Sequence, residues 1–346
     1  MRLLALGVAL SIVALATSWS SARASNLPPP LSRDAMVGFL AQCIETGPDG
    51  LPRFGDQARD LCRAHELTAT EPMSWRKFDW PGQDDPRSFP IGYLANDAVV
   101  LSSGPNPLIA HIADFGDTAR QFRRFDAGKG DGGQVVQIID AAAYGIMTED
   151  GGAGYQWFIG PACRGPAGGL ERFKSWLFFA ADVPAGAWRQ RIAELAMARS
   201  AAGCSPGFAK SLTRYRLEPI EVPLFAVRDG KRQPMTVRVS TIVSEHFGRD
   251  TIPSADHLER FFFGKGLGMY RWERWEQRGR SLNPEMEQQA AHFARSGRCP
   301  ALPFSVPPAS GWVLTDCRMW TNLVRQDDPW HAADFGWPGQ LEGLLP

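Results

Sequence analysis

The sequence lacks any imbalance of charge. Lysine and arginine together number 37, as do aspartate and glutamate, so the formal net charge is zero. No long run of like charge occurs along the chain. Proteins that hold nucleic acid or anionic lipid by bulk charge carry a basic patch or tail. The composition therefore argues against nucleic acid as a partner.

Long apolar runs are missing too. A helix that crosses a bilayer needs about 20 consecutive apolar residues, and the apolar stretch at residues 3–16 is shorter. No later apolar run approaches that length without interruption by charged or other polar residues. We therefore expect no membrane insertion.

Common catalytic signatures are also absent. The sequence holds no Gly-x-Ser-x-Gly elbow, no His-Glu-x-x-His helix and no phosphate loop. It has no Cys-x-x-Cys pair, although zinc sites usually take closely spaced ligand pairs. We expect neither a metal nor another cofactor.

The first 24 residues, in contrast, have the features of a cleavable signal peptide. Arg2 precedes the apolar stretch, and Ala22, Arg23 and Ala24 give the small-x-small pattern that signal peptidase requires. We expect cleavage after Ala24 and a mature protein that is periplasmic or secreted.

Six cysteines follow that segment. An even number in an exported chain predicts disulfide bonds. The cysteines form three sequential pairs, and joining neighbours requires the least chain to be brought together, although other connectivities stay open. The predicted bridges are Cys43–Cys62, Cys163–Cys204 and Cys299–Cys317.

Residues 25–88 predict a proline-rich lead and a helical hairpin. Ser32 precedes an apolar series at Met36, Phe39 and Leu40, which is typical of a capped amphipathic helix. Residues 56–67 predict the second helix. A Cys43–Cys62 bridge would join the two.

Residues 89–346 predict a β-rich domain with peripheral helices at residues 188–200 and 284–295. Short apolar runs there are separated by glycine, aspartate and asparagine, as in a sheet with tight connections. We therefore predict a mainly β (α+β) fold with an antiparallel β-sandwich or jelly-roll-like core. The predicted strands are residues 98–102, 108–114, 134–139, 144–148, 155–159, 176–180, 223–227, 235–247, 260–263, 269–275 and 319–324.

The strand at residues 235–247 carries the first group of candidate site residues. Alternation places Met235, Val237, Val239, Thr241 and Val243 on one face, which we expect to be core. The other face carries Arg238, Ser240, Ser244 and His246. That face is either a solvated surface or a ligand-binding surface with groups suited to proton transfer.

The strand at residues 269–275 carries the second group. Tyr270, Trp272 and Arg274 share one face, whereas Arg271, Glu273 and Trp275 share the other. Aromatic rings beside charged groups are typical of a surface that stacks sugars and fixes their orientation. An ion pair packed on tryptophan rings is the structural alternative.

Three functional hypotheses follow. The first is an exported, non-catalytic protein that binds a glycan through Arg238, Ser240, Ser244, His246, Tyr270, Trp272, Arg274 and Trp275. The second is a polysaccharide-active enzyme. In a lyase, Arg238 would neutralise a uronate, His246 would act as general base and Tyr270 as general acid. In a hydrolase, Glu245 and Glu273 would be the paired carboxylates. The third is a structural or interaction protein of the cell envelope, in which these side chains only pack.

Overall fold

The computed structural model is mainly β. It describes residues 29–55, 74–79, 96–102, 107–113, 133–148, 173–174, 177–194, 196–197, 210–229, 231–296, 299–325 and 327. The predicted signal peptide, the helix at residues 56–67 and the strand at residues 155–159 lie outside the described residues. The mainly β class is confirmed, whereas the sandwich or jelly roll stays a prediction.

Two helices and sixteen strands are described. The helices are α1 (Arg33–Leu40) and α2 (Pro284–Ser296). The strands are β1 (Glu45–Thr46), β2 (Pro52–Arg53), β3 (Trp75–Asp79), β4 (Asn96–Ser102), β5 (Leu108–Ala113), β6 (Gly133–Ile139), β7 (Ala142–Thr148), β8 (Phe173–Lys174), β9 (Leu177–Ala180), β10 (Arg189–Glu194), β11 (Ala196–Met197), β12 (Lys210–Arg228), β13 (Lys231–Phe247), β14 (His257–Gly264), β15 (Gly268–Gln277) and β16 (Trp312–Arg325).

Both helices begin where the sequence predicts. The Ser32 side chain accepts a hydrogen bond from the Ala35 amide and caps α1, which buries Met36 and Leu40. Asn283 caps α2 in the same way through the Met286 amide. The predicted helix that follows Ser32 and the predicted helix at residues 284–295 are both confirmed.

The strands β12 to β16 form a closed barrel. Each pairs antiparallel with the next, and β12 also pairs in parallel with β16 at Phe225–Asn322. In a ring of five strands that alternate in direction, the first and last run the same way, so the closing pair must be parallel. Strand β10 extends the sheet beside β12, and β3 extends it beside β16.

The barrel interior contains the core predicted for residues 235–247. Val237, Val239 and Val243 are buried there, which confirms the alternation. All four of the other barrel strands contribute to this cluster. Their buried residues include Ile220, Val222, Leu224, Phe262, Tyr270, Met319 and Leu323.

A second sheet covers part of the barrel's outer face. It has the strand order β4-β5-β6-β7-β9, and Phe178 of β9 packs edge-on against Phe261 and Phe263 of β14. At that place the barrel wall is therefore buried on both faces, because its outward side chains lie under the second sheet and its inward side chains lie in the core.

The predicted helix at residues 188–200 is wrong. Strand β10 lies there and pairs with β12 from Arg189–Tyr215 to Glu194–Lys210. Arg189 and Arg191 both reach Asp182, at 3.5 and 2.8 Å, because residues two apart in a strand point the same way. Pairing with β12 outweighs the local helical preference.

One of the three predicted disulfides can be seen. Cys299 and Cys317 form a bridge between β16 and the segment that precedes it, which confirms that pair. The Cys43–Cys62 and Cys163–Cys204 predictions involve Cys62, Cys163 and Cys204, which lie outside the described residues.

Candidate functional site

The predicted site residues of β13 lie in different surroundings. Arg238 is exposed and Ser240 is half-buried. Ser244 and His246 are buried between the barrel and the second sheet. The switch comes at Ile242, where the second sheet begins to cover the strand.

His246 is held as a neutral side chain. Its ring packs between Phe178 and Phe261, with centroids 5.1 and 4.9 Å away, and burial lowers its pKa to about 3. Ser244 donates its hydroxyl proton to the Phe178 carbonyl. The Ser244 oxygen must therefore accept from His246 Nε2 at 2.9 Å, which assigns that nitrogen the proton.

Tyr270 lies on the other side of the wall, inside the barrel. It is the extra residue at a bulge between β14 and β15, and its hydroxyl lies 3.2 Å from Thr241 Oγ1. Burial raises the pKa of Tyr270 well above its usual range. The barrel wall therefore separates it from His246.

A row of charges, buried except at its Arg214 end, crosses the same barrel wall on its inner face. We call this the ladder, and its members are Arg214, Glu245, Arg260, Glu273 and Arg271. The first four occupy directly opposed positions on β12, β13, β14 and β15. Arg260 Nε lies 2.8 Å from Glu245 and its NH1 lies 2.7 Å from Glu273. Arg214 donates to Glu245 from the other side.

Glu273 is held through both of its carboxylate oxygens. It accepts hydrogen bonds from Arg260, Arg271 (2.7 Å), Trp275 Nε1 (2.8 Å) and Ser305 Oγ (2.5 Å). Burial raises the pKa of Glu273, but the nearby guanidiniums outweigh burial and hold it below its usual value. Trp275, a predicted ligand-binding residue, is therefore a buried support for this carboxylate.

A segment that follows Cys299 covers the ladder. We call residues 299–306 the strap. Arg271 donates to the Pro300 carbonyl at 2.5 Å and to Ser305 Oγ at 2.6 Å, and Arg260 donates to the Val306 carbonyl at 2.8 Å. The disulfide fixes one end of the strap, and the ladder guanidiniums hold the rest.

The ladder ends at a partly exposed cluster of cations and rings. We call Arg214, Arg216, Glu218, Trp188 and Phe304 the mouth. The Arg214 and Arg216 side chains are 14% and 15% exposed. Their guanidinium carbons lie 4.6 and 5.2 Å from the Trp188 ring centre, and Arg216 also stacks on Phe304 at 4.4 Å.

Two predicted residues lie together on the barrel's outer face, beyond the area that Phe178 covers. We call Trp272, Arg274, Glu259, Asp316 and Arg318 the outer patch. Trp272 is directly opposite Arg318, and Arg274 is directly opposite Asp316. Glu259 accepts from Trp272 Nε1 at 3.1 Å and from Arg274 at 2.8 Å. The Arg274 side chain is 28% exposed and Trp272 is half-buried.

The structure thus brings together Trp272 and Arg274, and separately Ser244 and His246. It does not bring Arg238, His246, Tyr270 and Trp272 into one cleft. Sequence reasoning missed the mouth and, in the ladder, Arg214 and Arg260. A signal was present, since Arg214, Arg216 and Glu218 recur at every second position before the apolar series of β12.

Comparisons with protein-family models, curated proteins and solved structures found no match for this chain. Across the described ranges, no helix is long and apolar enough to cross a membrane. No group of three or more histidine, cysteine or acidic side chains in that part of the chain is placed to hold a metal ion.

Proposed function

We propose that this chain is a non-catalytic, extracytoplasmic protein that binds a glycan on the outer patch. The observation that carries the proposal is the half-exposed pair Trp272 and Arg274, flanked across the strand pair by Arg318 and Asp316. Export is supported by the signal-like first 24 residues and by the Cys299–Cys317 bridge.

The chemistry of the outer patch suits a sugar. An indole ring presents a flat apolar surface, and the neighbouring guanidinium and carboxylate groups can exchange hydrogen bonds with hydroxyls. Glu259 holds both Trp272 and Arg274 in place, so little side-chain entropy is lost when a ligand binds. A rigid strand pair fixes the spacing between ring and charges.

The burial of the acid–base candidates supports binding over catalysis. A general base must come within hydrogen-bond reach of the substrate, but His246 and Tyr270 are enclosed on opposite sides of the barrel wall. Glu245 and Glu273 are bridged by one guanidinium, that of Arg260. A carboxylate held this way gives a hydrolase no acid with a proton to donate.

The test is a glycan array with the mature protein, followed by titration calorimetry of the strongest ligand. Trp272→Ala should weaken the binding of that ligand by about 2 kcal/mol, or roughly 30-fold in affinity, because the stacking surface is lost. The control is Arg278→Ala, an exposed arginine near the end of β15, which should bind like the wild type.

Equal affinity of wild type and Trp272→Ala, both folded by near-ultraviolet circular dichroism, would refute the outer patch as the glycan site. A folded wild type that binds nothing on the array would favour the second candidate, an envelope interaction protein. The observation that favours this second candidate is that the side chains of Tyr270, Trp275 and His246 are all buried and pack inside the protein.

A further inference from the structure

The ladder and the mouth together hold more positive than negative charge. Their guanidiniums are those of Arg214, Arg216, Arg260 and Arg271, and their carboxylates are those of Glu218, Glu245 and Glu273. Four cations and three anions leave an excess of one positive charge. Because buried or partly buried charges are poorly screened, an excess in such a place attracts an anion.

The excess has a definite location. Arg260 and Arg271 direct their donors to Glu245, Glu273 and the strap. Arg214 uses Nε for Glu245, and no described residue accepts from its two terminal nitrogens. Arg216 uses Nε and NH2 for Glu218, and its NH1 likewise has no acceptor among the described residues. Unused donors are thus concentrated at the mouth.

The unused donors are also preorganised. Trp188 stacks on both guanidiniums, and the Nε bonds to Glu245 and Glu218 fix the plane of each group. Two terminal N–H groups of one guanidinium match the two oxygens of a carboxylate in a bidentate pair. The Trp188 and Phe304 rings border the same place and suit a ligand with an apolar face.

We propose that the mouth is a second binding site, which takes one carboxylate group of an acidic saccharide through Arg214, with Arg216 as its neighbour. That the ligand is a saccharide rests on the function proposed above, whereas the anion site rests on the mouth alone. One carboxylate would neutralise the excess charge and satisfy the terminal nitrogens of Arg214.

The test compares the affinity for trigalacturonate with the affinity for its fully methyl-esterified form, which is the same saccharide without charge. Wild type should bind the acid at least about tenfold more tightly than the ester. Arg214→Gln should lower the affinity for trigalacturonate by about 10- to 100-fold, since a charge-assisted bidentate contact is lost. Arg278→Gln, which makes the same change in net charge at an exposed position, should leave the affinity unchanged.

The proposal would be overturned by equal binding of acid and ester, by equal effects of Arg214→Gln and Arg278→Gln, or by inorganic phosphate displacing trigalacturonate at equal concentration. If Arg214→Gln does not fold, Arg214→Lys can replace it. Lysine keeps the charge but cannot form the bidentate pair, so this variant should still bind trigalacturonate more weakly than wild type. In the wild type, trigalacturonate should also shift the indole N–H resonance of Trp188, and an unchanged resonance would count against the site.

The outer-patch variant separates the two proposals. Trp272→Ala should reduce binding of the array ligand and leave trigalacturonate binding at the mouth intact. Loss of trigalacturonate binding in Trp272→Ala, with Arg214→Gln unaffected, would overturn the mouth site and place the acid on the outer patch.

Discussion

Replacing Glu273 with glutamine should destabilise the protein more than any change to an exposed charge. The side chain is fully buried and accepts from two guanidiniums, one indole and one hydroxyl. Glutamine has nearly the same shape but no charge, and its amide nitrogen would face one of those donors. Arg260 and Arg271 would keep their charges without this partner.

The expected cost is about 3–5 kcal/mol, the usual effect of removing one partner of a buried ion pair. That is a large share of the roughly 5–15 kcal/mol that stabilises a typical domain. Urea denaturation at pH 7, followed by tryptophan fluorescence, measures it. The control is Glu287→Gln, which removes an exposed pair with Arg278 and should cost less than about 1 kcal/mol.

The pH dependence gives a second measurement on the same variant. Since the folded state holds the pKa of Glu273 below its usual value of 4.5, this group stabilises the fold above that pH. The stability is lost as the pH falls through the folded pKa. The unfolding free energy of wild type should therefore drop more steeply below pH 4.5 than that of Glu273→Gln. A cost under about 1 kcal/mol with identical pH slopes would refute the role assigned to the ladder.

Three further predictions concern other parts of the molecule. Cys317→Ser should cost about 3 kcal/mol in chemical denaturation, because the bridge closes a loop between positions 18 apart, and an unchanged unfolding free energy would mean that the bridge does not stabilise the fold. The His246 imidazole should show no titration above pH 5 by nuclear magnetic resonance. Since its pKa falls to about 3 on folding, wild type should lose stability as the pH drops from about 6.5, and His246→Phe should flatten that loss. Ser32→Ala should cost about 1 kcal/mol of unfolding free energy through loss of the α1 cap, and an unchanged value would mean that Ser32 does not stabilise α1.

Much of the local structure could be predicted from the sequence. Alternation at Val237, Val239 and Val243 identified the inner face of β13. Period-two patterns report local geometry and one buried face. They gave no warning that the second face of β13 is also covered, because the cover comes from β9, far away in sequence.

The ladder shows why the candidate site was harder to predict from the sequence than the local structure was. Glu245 and Arg260 are 15 positions apart, and Arg260 and Glu273 are 13 apart. They meet only because the register of three strands aligns them, and register depends on turns and bulges as well as on composition. Glu245 and Glu273 were considered from the sequence as the paired carboxylates of a hydrolase with their separation left open, and the sequence could not place Arg260 between them.

The parallel pairing of β12 with β16 has a consequence for how the molecule assembles. It joins Phe225 to Asn322, so the ring can be completed only after roughly a hundred further residues are available, and contacts this distant in sequence slow folding. Until then Phe225 and its neighbours on β12 present an unpaired edge, which is open to association with other chains. A mutation that weakens β16 should therefore show itself first as aggregation during refolding, before it shows as lower stability of the finished barrel.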